Sequence, residues 1–137
     1  METFVSFELA KKLKEKGFVC DLPFAMYNEL GQFYLLTTSA PIRKAESGYT
    51  YRDYYDYEDF DENDFIAPTI SQVLKWLREV KRIDAGAVWD NRDGKWVGYI
   101  NEMDMPDLVG EYVLPNSYDA YEQAVIASIE YVLDNLI

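Results

Sequence analysis

The chain has 137 residues, 49% hydrophobic and 28% charged, which suits one globular domain over residues 1–137 with a buried core. It holds no histidine and a single cysteine, which removes imidazole-dependent catalysis, a one-chain thiolate zinc site and an internal disulfide. A net charge of −12 opposes approach to phosphate backbones, so direct nucleic-acid binding is not expected.

No apolar run reaches membrane-spanning length, and the N-terminal residues lack the order of a secretory signal. With Cys20 alone, a cytoplasmic setting is the expectation.

"SFELAKKLKEKGF" predicts the first helix, near residues 6–16. Ser6 has an N-cap hydroxyl, Leu9, Ala10 and Leu13 share a face, and lysines crowd the last turn. Gly17 suits the left-handed position that ends a helix, with Phe18 as the apolar contact after it. Two apolar and aromatic runs then flank "NELG", which predicts a hairpin over 24–38, Phe24–Asn28 and Gln32–Thr38, turning at Gly31. Residues 40–48 read as a loop.

"APTISQVLKWLREVKR" predicts a second helix over 69–81, with Thr69 or Ser71 as its cap. Ile70, Val73, Leu74, Leu77 and Val80 make its apolar stripe. "AGAVWDNRDGKWVGYIN" predicts a second hairpin over 87–101, turning at Asp93-Gly94. "DLVGEYVL" offers one more short strand, interrupted by Gly110. The last helix, over 117–135, takes Asn116 or Ser117 as its cap and lines one broad face with Tyr121, Val125, Ile129, Val132 and Leu136, of which Ile129 and Val132 are expected to be almost fully buried. The expected class is α+β in the order α-β-β-α-β-β-(β)-α. Its mainly antiparallel sheet of two hairpins carries three helices on one face.

The acids are unevenly placed. Residues 51–65, "YRDYYDYEDFDENDF", hold seven acids, six aromatics and one arginine, and residues 96–137 hold eight acids with no lysine or arginine. "DFDENDFIAPTI" begins like a calcium loop, with Asp59, Asp61 and Asn63 at its first, third and fifth positions. Its sixth position is Asp64 where glycine is needed, and its twelfth is Ile70 where a bidentate glutamate is needed, so no metal is expected. No glycine-rich phosphate loop appears and no cofactor is expected.

Three readings compete for residues 51–65. The simplest is a solvated loop whose rings cover the domain edge. In the second, Tyr51, Tyr54, Tyr55, Asp56, Tyr57, Glu58, Asp59, Phe60 and Asp61 contact a protein partner. Tyrosine gives contact area at low entropic cost, and acids steer a basic surface inward. The third is mimicry of nucleic acid, with carboxylates standing in for phosphates. Five of the twelve tyrosines lie in residues 49–57, which favours a contact role over an evenly filled core.

"SFELAKKLKEKGF", the hairpins, "APTISQVLKWLREVK" and "YDAYEQAVIASIEYVLDNLI" together resemble small uncharacterised proteins encoded by prophages and mobile elements of gut bacteria. The resemblance covers most of the chain, and Ala67-Pro68-Thr69 with Trp76-Leu77-Arg78-Glu79 is its most specific part. It implies a bacterial, phage-related setting and an accessory role, and it carries no catalytic residue. The expected function is a non-enzymatic domain that binds a protein, with a basic surface favoured and no membrane involved. A nucleic-acid mimic and a carboxylate-based hydrolase are the alternatives.

Overall fold

The computed structural model describes residues 3–20, 23–37, 50–53, 62–105 and 110–137. Among the described residues the fold is α+β, with three helices and an element order that follows the expected one apart from two added short strands. The chain divides into two compact units, Met1–Ile70 and Ser71–Ile137.

The first unit opens with α1 (Phe7–Glu15). Its ends follow the local signals. Ser6 Oγ accepts from the Leu9 amide at 3.2 Å. At the other end the Gly17 amide donates to the Lys14 carbonyl (3.1 Å) and the Phe18 amide to the Leu13 carbonyl (3.0 Å), with Gly17 at φ 80°. That pair of bonds is the Schellman arrangement, which only a residue at ease with positive φ accepts cheaply. Strands β1 (Ala25–Tyr27) and β2 (Phe33–Thr37) form the expected hairpin. Asn28 Oδ1 accepts from the amides of Leu30 and Gln32, both at 3.0 Å, and so fixes the turn through its side chain.

Two strands join this hairpin, β3 (Thr50–Asp53) and β4 (Phe65–Ile66), giving the sheet order β3-β2-β1-β4. The β2–β3 pair is parallel, a pairing that needs a long crossover rather than a tight turn. Register places Phe33, Tyr27 and Phe65 on one rung across β2, β1 and β4. Phe7 of α1 meets Tyr27 at 5.4 Å and Phe65 at 5.5 Å, and Phe4 meets Phe33 at 5.3 Å, all tilted or edge-on. This ring cluster, with Tyr27 Oη donating to the Val5 carbonyl at 2.6 Å, binds α1 to the sheet.

In the second unit α2 (Ile70–Trp76) runs into a π turn (Leu77–Lys81) that ends at Arg82 in the left-handed region, φ 59°. The expected single helix over 69–81 is therefore split. A π turn adds a residue per turn, so the apolar stripe slips. Leu77 stays buried, whereas Val80, expected on the stripe, is 57% exposed.

Strands β5 (Ile83–Asp90), β6 (Lys95–Glu102) and β7 (Glu111–Tyr118) form an antiparallel meander. The β5–β6 hairpin turns where expected, with the Arg92 amide donating to Asp90 Oδ1 at 2.9 Å. Gly110 does not interrupt the third strand; it precedes it. A Cβ there would lie 2.5 Å from the Glu102 carbonyl oxygen, so glycine allows the close return into β7. Across from Val97 to Tyr99, β7 advances from Ser117 back to Val113, a bulge that takes in Pro115.

Helix α3 (Tyr121–Asn135) packs on β5, β6 and β7. It begins later than the caps predicted, after Ala120, with no side-chain cap. Asn116 and Ser117 belong to β7, where pairing such as Ser117 with Val97 satisfies the backbone instead. The single sheet expected from two hairpins is likewise corrected: each hairpin nucleates its own sheet, because β3 and β4 extend the first and β7 extends the second. Three helices consequently do not share one sheet face; α1 packs on β4 and α3 covers the second sheet.

Candidate protein-contact surfaces

The acidic, aromatic stretch 51–65 is described at its two ends. At the near end Tyr51 lies in β3, its backbone opposite Leu35. At the far end Phe65 lies in β4, opposite Tyr27, and its ring belongs to the core cluster of the first unit. β3 and β4 are the two outer strands of one sheet, about three strand spacings or ~14 Å apart. Tyr54, Tyr55, Asp56, Tyr57, Glu58, Asp59, Phe60 and Asp61 lie outside the described residues.

Lys14 of α1 ties down the far end. Its ammonium donates to the carbonyls of Glu62 and of Asp64, the latter at 2.9 Å, and sits 4.7 Å from the Phe65 ring centroid. The cation thus serves the backbone and the ring, leaving the Glu62 and Asn63 side chains exposed to solvent.

A second aromatic surface lies on the other sheet. Trp89 and Trp96 are cross-strand partners in β5 and β6, with centroids 5.3 Å apart and planes at 70°. Tyr121, at the start of α3, meets Trp96 at 5.0 Å and 81°. Tyr121 shares the predicted face with Val125 and Ile129, yet it is 48% exposed, at the first residue of α3, and Trp89 is 49% exposed. The signal available in the sequence is the placement of two tryptophans symmetrically about the hairpin turn, which antiparallel pairing sets directly opposite each other. Lys95 Nζ pairs with Asp119 at 3.7 Å beside this cluster.

Among the described residues three tyrosines have hydroxyls that resist ionisation. Burial pushes up Tyr27; burial and then the hydrogen bond to Asp84 Oδ2 (3.1 Å) push up Tyr99. Burial, followed by the Glu102 carboxylate and Tyr131, pushes Tyr112 up to about 12. The neutral forms are favoured by folding. Their contribution is therefore fully present below the ordinary tyrosine value of about 10 and is lost as pH rises through the raised folded values. Alkaline titration followed at the phenolate absorbance should show a late fraction titrating up to about pH 12, coincident with loss of folded signal. In Tyr112→Phe the latest fraction should disappear. A single normal phase near 10 for every tyrosine would contradict the burial.

Among the described residues no group of three or more His, Cys, Asp or Glu side chains converges to hold a metal ion. Among them, too, no helix is long and apolar enough to cross a membrane. No family model matches the chain, and neither a curated protein nor a solved structure matches it.

Proposed function

We propose that the protein acts by binding another protein with a basic surface, through residues 51–61, and not by catalysis. The observation that carries this reading is the concentration of seven acids and six aromatics in 51–65, a stretch that runs from one outer strand of a sheet to the other. Like-charged carboxylates so densely placed are costly to bury, so the acids stay hydrated and steer a cationic partner. Tyrosine rings supply the contact area that acids lack. The proposed setting is a bacterial cytoplasm, with an accessory role for a prophage or mobile element.

The test is replacement of Tyr54, Tyr55 and Tyr57 by serine in the full chain. Melting should stay cooperative, and capture of basic proteins from bacterial lysate should fall, while the capture that remains keeps its sensitivity to added salt because the acids are unchanged. A triple variant that unfolds would assign the rings to the core. One that folds and captures as before would move the contact elsewhere. Competition of the captured protein by duplex DNA would turn the reading toward mimicry of nucleic acid.

A further inference from the structure

We draw no further inference here: the strongest candidate, the surface ring cluster of Trp89, Trp96 and Tyr121 on the second sheet, is an unpartnered aromatic patch, and nothing in the structure shows what covers it.

Discussion

Truncating Ile129 to alanine is expected to cost about 2–5 kcal/mol of unfolding free energy, the usual range for a large aliphatic side chain lost from a close-packed core. Ile129 lies at the middle of α3 and is fully buried, with Val125, Val132 and Leu133 on the same face. That face packs on β5 and β6, where Ile83, Ala85, Gly98 and Ile100 are buried. A close-packed interface of this kind only partly settles into the space a lost side chain leaves. Glu130→Ala, one position along on the exposed side, supplies the control. Urea melts compare the two. A change at Ile129 within about half a kcal/mol of the parent, the scale of a surface substitution, would overturn the packing described.

The second large effect is expected at Gly98. A Cβ at this position would lie 2.3 Å from Ser128 Oγ and 3.1 Å from the Ala124 carbonyl oxygen. Ser128 cannot simply turn aside. Its hydroxyl donates to the Gly86 carbonyl at 2.7 Å and is buried with it, so rotation leaves a buried acceptor without its bond. Gly98→Ala should therefore destabilise by about 1–3 kcal/mol through overpacking. Ser128→Ala should cost about 1 kcal/mol on its own, from the lost hydrogen bond. In the double variant the obstructing oxygen is gone, so the combined loss should be smaller than additive by about 1 kcal/mol. Strict additivity in a thermal or denaturant cycle would show that the helix moves as a body rather than being held at this contact.

The sequence by itself determined the elements whose signals are local. Ser6, Gly17 and Phe18 specify both ends of α1 within one turn of chain, and the bonds they make are those their chemistry prescribes. Asn28 and Asp90 fix the two hairpin turns through bonds to amides two residues onward, again without help from distant residues. The buried stripe of α3 was legible for the same reason, since its 3.6-residue period is a property of the segment alone. The acidic stretch 51–65 is also visible in composition, as is the negative charge that sets the expected partner.

Only tertiary structure decided the rest. Strand pairing is a relation between segments, and neither "TYRD" nor "FI" carries enough length to declare itself a strand. They are strands because they complete hydrogen bonds along the edges of the first hairpin, which with β7 on the second hairpin gives two sheets where one was expected. The start of α3 moved for the same reason: Asn116 and Ser117 are good caps locally, but pairing in β7 satisfies that backbone from a neighbouring strand. Tyr121 then fell outside the core, although its helical spacing matches the buried stripe. Val80 left its stripe when α2 widened into a π turn. The ring cluster of Trp89, Trp96 and Tyr121 follows from both kinds of information. Its two indoles are set opposite by a turn that the sequence declares, and its third ring arrives only because α3 begins just after β7 ends.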